Sequence, residues 1–79
     1  MQITYYAGAA DAAGVAGVQL EAGDLTTAEL LGLLGAGDVR LAEVLSHCSI
    51  LVDGSPVRGE AERIPATARV DVLPPFAGG

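Results

Sequence analysis

The residues with the most chemical promise in this 79-residue chain lie at its end. From Val72 onward no side chain is charged, so the run Val72-Leu73-Pro74-Pro75-Phe76-Ala77-Gly78-Gly79 carries only the terminal carboxylate of Gly79. Proline fixes its own φ and biases its predecessor away from the helical region, so Pro74-Pro75 predicts an extended path that holds the last residues off the domain. Gly78 and Gly79 lack Cβ atoms. The walls of a narrow channel can therefore close on their backbone, and a phosphate or a nucleophile can reach the last carbonyl unhindered. Carboxylate activation is the chemistry that suits such a group: ATP converts the carboxylate to an acyl-adenylate, and a sulfur or amine nucleophile displaces AMP. Glycine-rich termini are often merely frayed, but a strand, two prolines and an aromatic residue precede this one.

The other reactive side chains fit packing better than catalysis. Cys48 and His47 are adjacent, so in a strand or helix they point in different directions, and no third group stands ready to orient them. A lone cysteine is most often a buried packing residue. One histidine, one cysteine and dispersed carboxylates do not make a metal site. Gly32, Gly35 and Gly37 precede no lysine and do not join a strand to a helix, so they read as helix termination and close packing rather than a phosphate loop. Glu60 and Glu62 read as a solvated connection rather than an acid–base pair.

Composition removes further classes. Ten acidic against four basic residues leave a net charge of −6, and the basic residues are the isolated arginines Arg40, Arg58, Arg63 and Arg69. Nucleic-acid binding needs a clustered positive face, and an anionic membrane surface would repel this chain. The uncharged runs are too short to span a bilayer, and the N-terminus shows no signal-peptide pattern. A single cysteine suits a reducing compartment, so a cytoplasmic location is expected. The length allows one small domain with a thin aliphatic core.

Stepping along the chain, Met1 to Tyr6 alternates as a strand, and Val15 to Glu21 predicts a second strand paired with it in a hairpin. Ala7 to Gly14 is compatible with a short helix or a loop. Thr26 and Glu29 form a capping box, over which Leu25 and Leu30 can close a hydrophobic staple, at the start of a helix that Gly35 or Gly37 ends. Leu41, Val44 and Leu45 mark a second, short helix from Asp38. Ser49 to Asp53 predicts a strand, Asp53-Gly54 a tight turn, and Val57 with its neighbours a return strand pushed to the edge by Pro56. Glu60 to Ala66 reads as a charged connection, and Arg69 to Leu73 as the last strand. The resulting order is β-β-α-β-β in an α+β chain.

The tail, the element order and the position of Leu51-Val52-Asp53-Gly54 together resemble the MoaD/ThiS sulfur-carrier family, and the Pro-Pro-aromatic-Ala approach is most similar to MoaD, the small subunit of molybdopterin synthase. That resemblance implies a β-grasp, ubiquitin-like fold: a mixed sheet with one main helix and a second short one over residues 1–73, and an extended tail over 74–79. It also implies that Gly79 is adenylated by a MoeB-like activating enzyme using ATP and magnesium. A sulfur donor such as a cysteine desulfurase or a rhodanese would then convert it to a thiocarboxylate. The tail would enter a MoaE-like large subunit in a heterotetramer and donate sulfur to cyclic pyranopterin monophosphate, forming the dithiolene of molybdopterin. Pro74, Pro75 and Phe76 would dock at the tunnel mouth, while Ala77 and Gly78 would pass through it. The carrier itself would bind no cofactor and supply no acid or base.

Three alternatives remain open from the residues. A ThiS- or CysO-like carrier would serve thiamine or cysteine synthesis. A ubiquitin-like modifier would form isopeptide bonds through Gly79, and without lysine it could not be extended into lysine-linked chains of itself. An interaction domain with an inert tail would do neither. For the carrier readings, the exposed face of the first, third and last sheet strands is expected to be apolar and covered by the partner.

Overall fold

The computed structural model describes residues 1–75. Its first strand, β1 (Gln2–Tyr5), is followed by helix α1 (Ala7–Ala13) and strand β2 (Gly17–Gln19). Next come β3 (Leu25–Thr26), α2 (Thr27–Leu34) and α3 (Val39–Leu45). The chain then forms β4 (Ser49–Val52), β5 (Ser55–Pro56), β6 (Arg63–Ile64) and β7 (Arg69–Leu73). The main sheet has the order β2-β1-β7-β4-β5, and β3 and β6 form a separate two-stranded sheet. The first and last strands lie side by side and parallel, Ile3 opposite Val70 and Tyr5 opposite Val72, while every other pairing is antiparallel.

The period of two in each strand decides what is buried. Ile3 and Tyr5 on β1, Val70 and Val72 on β7, and Ile50 on β4 project to one face and join Leu30, Leu41 and Leu45 from the helices in the core. Thr27 is the buried polar residue among those described, and its hydroxyl donates to the Glu62 carbonyl at 3.0 Å. Burying this hydroxyl is tolerable because the bond replaces the one it loses to water.

The expected capping box is present. Glu29 N–H donates to the Thr26 hydroxyl at 3.1 Å, and Thr26 N–H donates to the Glu29 carboxylate at 2.8 Å. That backbone donor holds the Glu29 carboxyl below the usual glutamate range, with help from the Thr26 side chain. A depressed carboxylate pKa contributes stability above the unfolded-state value, and the contribution disappears as pH falls through the folded-state value. Glu29→Gln is therefore expected to lower the melting temperature at neutral pH, and the two melting curves should converge in acid. A difference independent of pH would contradict the carboxylate's role. Thr26→Ala should cost about 1 kcal/mol at neutral pH by chemical denaturation.

Several elements differ from their sequence expectation. Ala7–Ala13 is a helix rather than a loop, so the described residues hold three helices where the family resemblance implied two, and β1 and β2 form the expected antiparallel pair with α1 between them. Gly14 ends this helix in the left-handed region, its N–H bonded to Ala10 carbonyl at 2.9 Å. The return strand spans Ser55–Pro56, and Val57 N–H continues its pairing to the Ile50 carbonyl at 3.0 Å. Asp53 and Gly54 both have positive φ, at 49° and 86°, which makes a tight two-residue turn and forces pairing to resume at Ser55. The segment 60–66 is more than a charged connection. It contains β6, whose Ile64 is fully buried opposite Leu25. The carbonyls of Glu62 and Glu60 accept from Thr27 N–H and Ala28 N–H, satisfying first-turn donors of α2.

Two glycines are required by close approach. A Cβ on Gly17 would lie 2.6 Å from the Ile3 carbonyl oxygen, and one on Gly35 would lie 3.0 Å from Ala42 where α2 meets α3. Gly17→Ala is accordingly expected to cost roughly 1–3 kcal/mol by forcing β2 away from β1. Faster exchange of the Tyr5 amide, which donates to Ala16 carbonyl at 2.8 Å, would report that separation.

Candidate functional site

The strand that leads to the tail is held on both edges. β7 runs between β1 and β4, with Val70 and Val72 fully buried. Its last residue, Leu73, is half-buried opposite Ser49, and Tyr6 N–H donates to the Val72 carbonyl at 3.1 Å. The Tyr6 hydroxyl reaches the Asp71 carboxylate at 3.3 Å across the same strand pair. Pairing on both sides fixes β7 through its C-terminal end, so the direction in which the chain leaves the sheet is set by the sheet itself. Among the described residues the last regular element ends at Leu73; Pro74 is half-buried and Pro75 exposed. Phe76, Ala77, Gly78 and Gly79, the rest of the expected site, lie outside the described residues.

The outer face of the sheet corrects one expectation. Opposite the core-facing residues, it presents Gln2, Thr4, Gln19, Ser49, Arg69 and Asp71, with Leu51 and Leu73 as half-buried exceptions. This face is predominantly polar, not apolar. Strand alternation placed Ile3, Tyr5, Val70 and Val72 toward the helices and left the intervening Gln2, Thr4, Arg69 and Asp71 outside.

The remaining candidates resolve into structural roles. The Cys48 thiol is half-buried and donates to the Val44 carbonyl at 3.2 Å, and burial pushes its pKa up, away from the reactive thiolate. His47 instead faces Glu43 on the exposed side of the same segment, 3.3 Å away. Glu62 does not pair with Glu60 for acid–base work; its carboxylate accepts from Arg58 N–H at 2.8 Å and closes the loop. No cluster of three metal-ligating side chains occurs among the described residues. Among the same residues, no helix is long and apolar enough to cross a membrane. Sequence reasoning did not foresee that Asp53 would brace β7: Asp53 N–H donates to Arg69 carbonyl at 2.8 Å, and its carboxylate accepts from Arg69 N–H at 3.0 Å.

A mixed sheet with parallel first and last strands at its centre, helices over one face, and a final strand running directly into the C-terminal segment defines a β-grasp protein of the ubiquitin-like kind. Comparison with known structures agrees. The crystal structure of SAMP1 from Haloferax volcanii matches with a TM-score of 0.81 and 25% identity, over 100% of this chain and 98% of that one. A second crystal structure, of H. volcanii small archaeal modifier protein 1, matches with a TM-score of 0.79 and 24% identity, over 96% and 97% of the two chains. No curated protein sequence gives a significant match. The chain belongs to the ThiS family, whose model matches residues 3–79 and so includes the terminal Gly-Gly.

Proposed function

We propose that this protein is a sulfur carrier whose working group is the Gly79 carboxylate, and that its client is the dithiolene of molybdopterin. The observation that carries the reading is the ThiS-family match through residue 79, on a chain whose central strand leads directly into Pro74-Pro75-Phe76-Ala77-Gly78-Gly79. In this reading a MoeB-like enzyme uses ATP and magnesium to form the acyl-adenylate at Gly79, releasing pyrophosphate. The terminal sulfur of a persulfide supplied by a desulfurase or rhodanese then displaces AMP to form an acyl disulfide, and a second thiol cleaves its S–S bond, becoming part of a disulfide itself and releasing the thiocarboxylate. The Pro-Pro-aromatic-Ala sequence favours a MoaE-like large subunit as the receiver. There the folded domain acts as a stop: β7 cannot follow the tail into a tunnel, because it is paired on both edges. Pro74, Pro75 and Phe76 would sit at the mouth while Ala77, Gly78 and Gly79 span the channel.

A second reading has a specific observation behind it, since the solved neighbours are named as archaeal modifier proteins. In that reading an amine of a target protein displaces AMP from the same adenylate and forms an isopeptide bond. Both readings share the activation step and divide at the nucleophile.

High-resolution mass spectrometry of the C-terminal peptide separates them. After denaturation, trypsin cuts after Arg69 and releases residues 70–79, a peptide free of Met1 and Cys48, whose oxidation could imitate an oxygen-to-sulfur exchange. Protein from cells making sulfurated cofactors is expected to carry the thiocarboxylate, and a MoaE-like subunit with cyclic pyranopterin monophosphate should discharge it. A plain carboxylate despite an active MoeB-like enzyme and a sulfur donor would count against the carrier. Discovery of Gly79 joined to target lysines would favour the modifier.

A further inference from the structure

The two edges of the main sheet are built differently. An edge strand exposes a row of backbone donors and acceptors, which proteins blunt with proline, charge or a covering element. The β5 edge is only two residues long, and Pro56 has no N–H to offer. The β2 edge has no such device. Its register with β1 pairs Gln2 with Gln19, Ile3 with Val18 and Thr4 with Gly17. Beyond the strand, Tyr5 N–H donates to Ala16 carbonyl, and Met1 and Leu20 exchange bonds in both directions. Antiparallel pairs alternate between bonded and non-bonded, so Ala16, Val18 and Leu20 point their backbone groups at β1. Those of Gly17 and Gln19 point out of the sheet and have no partner among the described residues.

The charged side chains nearest this edge in sequence are acidic, and the Met1 ammonium beside it is taken up by the Leu20 carbonyl at 2.7 Å. From Ala12 to Leu20 no side chain is charged, and the run is bracketed by exposed Asp11 and Glu21, with exposed Asp24 beyond. Residues 1–39 contain no arginine or lysine. Val15, 46% exposed, adds an apolar contact at the start of the edge. We propose that the β2 edge is a docking site for an extended basic segment of a protein partner. The segment adds as a further strand through Gly17 and Gln19, and its flanking cations meet Asp11 and Glu21. A second copy of this chain is disfavoured as the occupant because each copy carries a charge of −6. Gly17 lies across from Thr4, and Thr4 from Asp71, which puts the edge two strand spacings, about 10 Å, from the strand that leads to the tail. One partner could therefore hold both. The proposal is independent of the chemistry at Gly79.

The test uses the full chain, labelled with nitrogen-15, and a blocked synthetic peptide Arg-Thr-Val-Thr-Val-Arg. Binding is expected to shift the Gly17 and Gln19 amides and slow their hydrogen exchange, and a peptide with both arginines replaced by glutamate should bind at least about tenfold more weakly. Gln19→Pro removes an outward N–H that β1 does not use, so it should weaken binding by about tenfold, the equivalent of one hydrogen bond. Gln19→Lys, on an exposed position, should also weaken binding, by charge alone, if the proline variant fails to fold. Absence of binding, shifts confined to other strands, or equal binding of the glutamate peptide would overturn the proposal. So would protection of Gly17 and Gln19 that rises with protein concentration alone, which would make a second copy the occupant.

Discussion

Deletion of Gly79 is expected to abolish thiocarboxylate formation while leaving the melting temperature unchanged. Among the described residues the last regular element ends at Leu73, and none of their sheet hydrogen bonds or core contacts involves the final residue. The consequence falls on reach. One extended residue spans about 3.5 Å, so the new terminal carboxylate would stop short of the adenylating centre by that length. Misplacement of even about 1 Å can cost two orders of magnitude in rate, and a shortfall several times larger should bring activation below detection. The check is the mass of the C-terminal peptide after incubation with a MoeB-like enzyme, ATP, magnesium and a sulfur source. Normal sulfuration of the shortened tail would overturn the assignment of Gly79 as the reacting residue. It would leave the β2 edge proposal untouched.

The second large effect concerns folding. Ile64→Ala should destabilise the domain by about 3 kcal/mol, within the range for emptying a buried isoleucine site. Ile64 is fully buried, and its strand holds the Glu60 and Glu62 carbonyls against the first turn of α2. A cavity there loosens both the core and the helix start. Small domains commonly have only about 5–15 kcal/mol in total, so the melting temperature should fall on the order of 10–20 °C. Ile64→Val, which removes one methyl group, should cost about 1 kcal/mol and serves as the graded control. Hydrogen exchange adds a local readout: the Thr27 and Ala28 amides, bonded to Glu62 and Glu60, should exchange faster in Ile64→Ala. An unchanged melting temperature would mean that the short β3–β6 sheet contributes little to stability.

What could be read directly from the residues was local. Thr26 and Glu29 are neighbours on one helical turn, and their reciprocal bonds depend on nothing distant. Asp53-Gly54 carries its turn geometry in its own φ preferences, and the alternation of Met1 to Tyr6 and Arg69 to Leu73 needs only a period of two. The tail's chemical character is likewise a property of its composition. These features carry the strand-and-helix order, the family resemblance and the interest of Gly79 without any distant contact.

Tertiary structure decided what depends on a distant partner. Arg63-Ile64 is too short to announce itself as a strand; it becomes one because Leu25-Thr26 lies opposite it and Ile64 fills the core. Ala7 to Ala13 carries no side-chain cap, and its helix is settled by the burial of Ala9 and the turn at Gly14. The outer sheet face proved polar because register, not composition, selects which of two alternating sets faces the helices. The same register turns the backbone of Gly17 and Gln19 outward and braces β7 on both sides beneath the tail. Sequence by itself determined the composition of the C-terminal end and the local elements, since both rest on adjacent residues. Only the fold could determine the face, the open edge and the support for β7, because each arises from hydrogen bonds between strands far apart in the chain.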